Sequence, residues 1–313
     1  MTRARSIANK YAIAVVLVIF IALLELFVPS FRSLGNVQNI LLQTSINSLL
    51  AIGATLTILT GGIDLSVGSI VGLTGIVAAL LGRHSGAGSF LAALAAGVGA
   101  GLGLGAVNGA LVSFVRIPSF VVTLGMMSIA RSLAFVFSQG QPISDLSNEF
   151  LAIGQGSLLG IPYPILISVI TFIVFGIVLS RTRFGRYIYA VGGNEEAALV
   201  SGVDTRLVKL AVYSLSGLLA GLGGVVLAAR ATAGISTNGE GYELTAIAAA
   251  VIGGTSLSGG RGTLLGTVAG VLIIGIMVNS LDLLNISPFY QGLIQGTIII
   301  GAVAIDAVVN RRR

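Results

Sequence analysis

Apolar runs long enough to cross a bilayer alternate with short polar connectors along almost the whole chain, and this alternation predicts a bundle of membrane helices. Allowing about 20 residues per crossing, ten runs qualify: 11–28, 38–60, 65–82, 89–113, 117–138, 162–180, 206–229, 244–259, 264–281 and 288–307. Glycine interrupts several of them. The segments at 61–64 and 244–263 read as re-entrant or broken helices if their glycines end the regular structure, and eight full crossings then remain. One stretch departs from the alternation. Residues 181–209, RTRFGRYIYAVGGNEEAALVSGVDTRLVK, hold 8 of the 28 charges between two apolar runs. Such a stretch belongs in water, and its helix-forming centre predicts a docking element.

Composition agrees with a polytopic all-α membrane protein. Only 9% of residues are charged, 55% are hydrophobic and the mean hydropathy is +1.02, whereas a soluble domain carries roughly 25% charge. The net charge of +6 is a topology signal rather than an affinity for nucleic acid. With the N-terminus inside, the connections at 1–10, 61–64, 114–116, 181–205, 260–263 and 308–313, with adjoining span ends, hold 13 of the 17 lysines and arginines. The outside connections hold three, Arg32, Arg83 and Arg230. The positive-inside rule therefore places both termini and the 181–209 loop in the cytoplasm. No small-residue cleavage site follows the first apolar run, so it is read as a span and not as a signal peptide. The 313 residues are read as one transmembrane domain.

The 44 glycines suit close helix packing in lipid. Gly97, Gly101, Gly105 and Gly109 recur every four residues and line one helix face, either for packing within the subunit or for a subunit interface. An internal echo joins Gly61–Gly68 to Gly253–Gly260, which share GGxxLSxG. It reads either as an internal structural repeat of the kind transporters use or as coincidence in a glycine-rich chain.

The sequence excludes several chemistries. Zero cysteines remove disulfides and thiolate sites. His84 is the single histidine. Lys10 and Lys209 are the only lysines, and no GxxxxGK[ST] pattern surrounds them, so the chain has no means of hydrolysing ATP and no cofactor site is expected. Polar groups at membrane depth are costly and mark function by default. Candidates for a translocation path are Gln43, Thr44, Asn47, Asp64, Ser66, Asn108, Arg131 and Asn279. Each allows two readings: a hydrogen bond to a neighbouring helix, or the lining of an aqueous route. Arg131, near mid-span, costs about 2.5–3.5 kcal/mol if isolated, so it faces protein or water. Asp64 either caps the helix that follows by accepting from the Ser66 or Val67 amide or forms a proton or sodium site.

Glu196, Ala197, Ala198 and Gly202 form E-A-A-x-x-x-G within the segment from Gly193 to Gly202. This resembles the cytoplasmic signature of ABC importer permeases. TGGIDLSVGS (60–69), RTRFGRYIYAVGGNEEAALVSGV (181–203) and GYELTAIAAAVIGGTSLSGGRGT (241–263) are similar to the ribose-type sugar permeases, and the likeness runs from about Asn36 to the C-terminus. Thr245 stands where similar chains commonly carry aspartate, so an ionic role there is not implied.

The resemblance implies a permease subunit of the bacterial inner membrane that passes a monosaccharide by alternating access. It implies an ABC ATP-binding subunit that holds ATP and Mg, docked on Gly193, Asn194, Glu195, Glu196, Ala197, Ala198 and Gly202. A periplasmic or extracellular sugar-binding protein and a second permease copy or paralogue complete the implied assembly, with membrane lipid around it and no nucleic acid. The competing class is an ion-coupled secondary sugar carrier that works without an ATPase.

Overall fold

The structure, a computed structural model, describes residues 17–19, 21–22, 29–287, 290–297 and 300–301. It is mostly helical. Among the described residues, six helices are long and apolar enough to cross a membrane: α1 (Leu34–Leu59), α3 (Ala87–Ser113), α4 (Ser119–Ser138), α6 (Tyr163–Arg181), α9 (Thr205–Arg230) and α11 (Leu264–Leu283). They correspond to the predicted runs at 38–60, 89–113, 117–138, 162–180, 206–229 and 264–281. The runs at 11–28 and 288–307 lie partly outside the described residues, and both termini lie wholly outside them.

Two predicted crossings are shorter than expected. The run at 65–82 forms α2 (Val67–Gly82), and the run at 244–259 forms only α10 (Tyr242–Ile252). At 1.5 Å per residue, the 11 residues of α10 reach about 16 Å, half of a ~30 Å hydrocarbon core. Glycines stop it: Gly253 and Gly254 follow, and Gly254, Gly259, Gly260 and Gly262 all take positive φ. Small elements the hydropathy pattern did not announce are α5 (Asn148–Gln155), the hairpin β1 (Ser157–Leu158) with β2 (Ile161–Pro162), α7 (Arg183–Gly193) and α8 (Glu195–Val200).

The glycine ladder of α3 packs within the protomer. A Cβ built at Gly101 or Gly105 would strike the backbone of α9 at Gly217, Gly221 or Tyr213, and one at Gly109 would lie 2.8 Å from Leu210 Cα. Gly217 on α9 returns the contact against Gly101 and Gly105. Bare backbone on both sides lets the two helices touch, the arrangement small residues permit where lipid supplies no hydrophobic drive. Gly105→Leu is therefore expected to force α3 from α9. Overpacking costs typically 1–3 kcal/mol, read as a lowered unfolding temperature of the detergent-solubilised protein; an unchanged transition would contradict this packing.

The predicted inside connections meet at one end. The Gly260 amide donates to the Leu59 carbonyl at 2.9 Å, joining the end of α1 to the loop after α10. At the other end the Ser147 amide donates to Gly82 O at 2.8 Å, and Ile143 bridges Gly234. Arg83 Nε donates there to Ser144 O at 3.0 Å.

Both short helices continue crossings that begin as irregular backbone. Residues 60–66 lead from the basic end into α2. Residues 231–241 lead from the opposite end into α10 and descend along α2. A Cβ at Gly234 would meet Ala79, one at Gly72 would meet Arg131 Nη1 and the carbonyls of Ser236 and Asn238, and one at Gly68 would meet Gly239 O and Glu243 Oε2. Gly68 and Gly72 thus form the bed for this segment, while Gly75 faces Gly224 and Ala228 of α9. Irregular backbone at membrane depth is tolerated only against protein or water, and here α2 supplies the protein on one side.

Candidate functional site

The 181–209 loop folds as two helices joined at one residue. Thr182 caps α7, its Oγ1 accepting from the Gly185 amide at 3.2 Å. Gly185, Ile188 and Val191 then turn one face of α7 into the bundle beside Leu59 and Leu179. Asn194 ends α7 in extended conformation and caps α8, its Oδ1 accepting from Ala197 N at 2.9 Å. Glu195 and Glu196 sit in the first turn of α8, where carboxylates complement the helix dipole. Lys209 Nζ meets Glu195 Oε2 at 2.6 Å, an exposed pair worth about 0.2–1 kcal/mol. Gly202 closes α8 at φ +84°. Asp204 caps α9 by accepting from the Arg206 and Leu207 amides, both at 3.1 Å.

The face of α8 divides sharply. Ala198 is buried against the protomer's own core, whereas Leu199 is 59% and Val200 90% exposed. Glu196, Ala197 and Gly202 are also exposed. A cleft of about 1160 Å³ opens beside this helix, lined by Gly61, Arg116, Ser119, Glu196, Leu199 and Lys209 among others.

Beneath α7 lies a junction of bare backbone. A Cβ at Gly192 would collide with the Leu59 carbonyl and lie 2.6 Å from the Gly260 amide, the two groups whose hydrogen bond joins α1 to the 253–263 loop. A Cβ at Gly259 would lie 2.8 Å from Gly192 O and 3.0 Å from Gly61 N. The two halves of the GGxxLSxG echo therefore meet beside α7, where Gly259 lies against both Gly61 and Gly192. They occupy different places in their crossings, since Gly61 leads into α2 and Gly259 follows α10. Tyr189 adds a polar tie from α7, its Oη donating to Gly262 O at 3.0 Å. Burial pushes this phenol above its ordinary pKa, so it stays a donor throughout the neutral range.

Above the cleft, Asp64 is buried among hydroxyls. Its Oδ1 accepts from Ser66 N (3.0 Å) and Ser66 Oγ (2.6 Å), and its Oδ2 accepts from Ser216 Oγ of α9 (2.9 Å). Asn108 Nδ2 of α3 donates to Ser66 Oγ at 2.9 Å. The capping bond to the Ser66 amide is thus present, and the same carboxylate ties the first irregular crossing to α9. The polar residues of α1 lie largely inward too. Thr44 is buried and bonds Ile40 O at 2.7 Å, while Gln43 and Asn47 are half-buried. Asn279 of α11 is buried and donates to Asn36 Oδ1 at 2.9 Å. Asn47, Asn108 and Asn279 each keep a buried Oδ1 without a hydrogen bond.

Arg131 has a different setting. Half-buried on α4, it donates through Nη1 to Ser236 O and to Asn238 O, the latter at 3.1 Å. These carbonyl partners are protein, one of the two surroundings expected for a charge at that depth, and they belong to the second irregular crossing. Thr245 Oγ1 donates to Gly241 O of its own helix start at 3.1 Å. Sequence reasoning singled out neither Gly192 nor the carboxylates of Glu240 and Glu243. The doubled glycine before Asn194 was the available signal for the first; an apolar window hides the others.

A helical bundle with several crossings, two of them part-irregular, and a paired-helix loop at its basic end defines a multi-pass membrane permease. The family model described as "Branched-chain amino acid transport system / permease component" matches residues 36–303, and the chain belongs to that family. It is 44% identical over 310 residues to ribose import permease protein RbsC of Escherichia coli K12, covering 97% of this chain and 95% of that protein. It is 47% identical over 294 residues to RbsC of Bacillus subtilis 168, covering 93% and 89%. It is 40% identical over 304 residues to the D-allose transport system permease protein AlsC of E. coli K12, covering 97% and 93%. No solved structure gives a significant match.

Proposed function

We propose that this chain is the permease subunit of an ATP-binding cassette importer and passes a monosaccharide, a ribose-like pentose or a hexose, across the bacterial inner membrane by alternating access. The sugar class rests on relatives named for ribose and D-allose. The observation that carries the coupling mechanism is the junction at Gly192, where one water-exposed helix pair bears on the ends of both irregular crossings. A separate ATPase docks on the 193–202 segment, its face formed by Glu196, Ala197, Leu199 and Val200. Movement of α7 then bears on the Leu59–Gly260 bond and shifts both crossings together. Coupling requires contacts that differ between two states, and irregular backbone is the part of each crossing best able to change.

In this reading the whole chain is one transmembrane domain of eight to ten crossings with cytoplasmic termini, and 181–209 is its coupling loop. It pairs with a second copy or a close paralogue, and a periplasmic or extracellular sugar-binding protein delivers substrate to the opposite end. ATP and Mg belong to the ATPase. The order long helix, irregular segment, short helix occurs at α1–α2 and again, running the other way, at α9–α10, which favours an inverted internal repeat. Uptake measured in vesicles of the reconstituted complex should require ATP hydrolysis and persist after ion gradients are collapsed. Gradient-driven uptake by this chain alone would overturn the proposal in favour of a secondary carrier.

A further inference from the structure

The surface at membrane depth is apolar almost everywhere it is exposed. Val169, Ile170, Ile173, Val174 and Ile177 cover the outer face of α6. One face is different. Thr237 and Glu240 on the second irregular crossing are exposed, as are Ser128 and Ser132 on α4, with Arg131 and Glu243 half-buried among them.

This face is not at a membrane boundary. Gly72, against which Arg131 and the Ser236 and Asn238 carbonyls lie, is ten residues below Gly82 at the outer end of α2, about 15 Å down the helix. Arg131 stands twelve residues above Ser119, the start of α4, or about 18 Å from its basic end. Both estimates put the band near the middle of a ~30 Å core. Charged groups at that depth face protein or water, never hydrocarbon. The side turned toward α2 is already filled by protein, since the glycine bed leaves no room there. The exposed side therefore meets either water or the second copy of the permease, and a charged thiol reagent reaches it only in the first case.

We propose that the band of Ser128, Arg131, Ser132, Thr237, Glu240 and Glu243 is the polar wall of the aqueous route through which a neutral, polyhydroxylated sugar passes. The proposal rests on the importer reading for the identity of the solute. It moves the wall away from Asp64, Ser66 and Asn108, whose groups are buried and bonded inside the protomer. The chemistry suits a sugar hydroxyl, which both donates and accepts. Glu240 and Glu243 accept, Arg131 donates, and the serine and threonine hydroxyls do either. Bonds to charged groups are strong enough to replace the water a sugar sheds, and their mixed signs repel no neutral ligand. Arg131 has a second role as a positioning residue, because its bonds to Ser236 and Asn238 hold the irregular backbone that carries Thr237 and Glu240.

The chain's lack of cysteine makes the test direct. Single replacements Thr237→Cys, Glu240→Cys and Ser128→Cys, with Ile173→Cys on the apolar face of α6 as control, are assembled with the other importer subunits in membranes. Each is treated with a charged, membrane-impermeant methanethiosulfonate. The three band positions are expected to react at least ~10-fold faster than Ile173→Cys, because a charged reagent enters water-filled routes and is excluded from hydrocarbon. Reactivity at Thr237 and Glu240 should also change when the complex is trapped with vanadate. Band positions reacting no faster than Ile173→Cys would overturn the proposal, and Ser128→Cys reads the same wall if the Glu240 variant accumulates poorly. Reactive band positions in a complex whose uptake ignores ATP would leave the route standing and remove only the importer reading.

Discussion

Gly192→Ala is expected to cut sugar uptake at least ~10-fold and to destabilise the purified permease, while Gly193→Ala, one residue along, leaves stability unchanged or slightly raised. A Cβ at Gly192 has nowhere to go. It would overlap the Leu59 carbonyl and crowd the Gly260 amide, and both are backbone atoms that no rotamer change can move. Relief requires α7 to lift from the bundle, which breaks the Leu59–Gly260 hydrogen bond or loosens the Ile188 and Val191 contacts. Overpacking of this kind costs about 1–3 kcal/mol, and 1.4 kcal/mol is already tenfold in an equilibrium. Gly193 has open space around its missing side chain, and alanine is favoured over glycine in a helix by roughly 0.5–1 kcal/mol. Thermal unfolding of the two variants in detergent, with uptake in cells, makes the comparison. Indistinguishable behaviour would mean that α7 does not bear on the junction.

The second large effect is expected on the outer side of the same loop. Glu196→Lys and Val200→Asp should abolish uptake while the permease folds and inserts normally. Both side chains are exposed and touch nothing the bundle needs, and Val200, at 90% exposure, is an apolar group held in water. A partner that buries this face meets a reversed charge in one variant and a buried carboxylate in the other. Loss of an interface hot spot costs about 2 kcal/mol or more, roughly a thirtyfold loss of affinity at 1.4 kcal/mol per tenfold. Co-purification of the ATPase with each variant, and ATPase stimulation by sugar-loaded binding protein, measure it. Wild-type uptake would sink the docking assignment. Gly202→Leu is a different perturbation. Its φ of +84° imposes backbone strain of about 1–2 kcal/mol on any larger residue, so loss of uptake there reports the shape of the loop as well as the contact. The resemblance places Gly202 in the docked segment; the left-handed turn after α8 is a separate reason for glycine there.

Hydropathy revealed six long helices and the polar loop because lipid imposes a composition on anything that crosses it. Side chains cap the starts of helices at Thr182, Asn194, Asp204 and Thr263, though the sequence reading named a cap only at Asp64. The shortness of α10 was not legible from the apolar window at 244–259, because average hydropathy does not record whether backbone is helical. Glycine was the available clue, and it was ambiguous: Gly97 to Gly109 continue a helix, whereas Gly253, Gly254, Gly259 and Gly260 end one. The EAA-x-x-x-G pattern singled out the segment proposed for docking, yet periodicity alone did not separate buried Ala198 from exposed Leu199 and Val200. The polar stripe of α1 illustrates the same limit. The sequence offered Gln43, Thr44 and Asn47 as path candidates, but only packing showed Thr44 buried and bonded to Ile40 O of its own helix at 2.7 Å.

The 231–252 crossing has a consequence for how the protein is made. A run of turns followed by an 11-residue helix cannot hold itself across a bilayer as the nascent chain emerges. It needs a seat, and that seat is the bare backbone of Gly68 and Gly72 on α2. Those residues lie far upstream, so they have left the ribosome and can be folded before 231–252 is translated. The order of synthesis builds the host before its guest. Glycine on α2 therefore keeps a place open, early in the life of the chain, for a piece that arrives late.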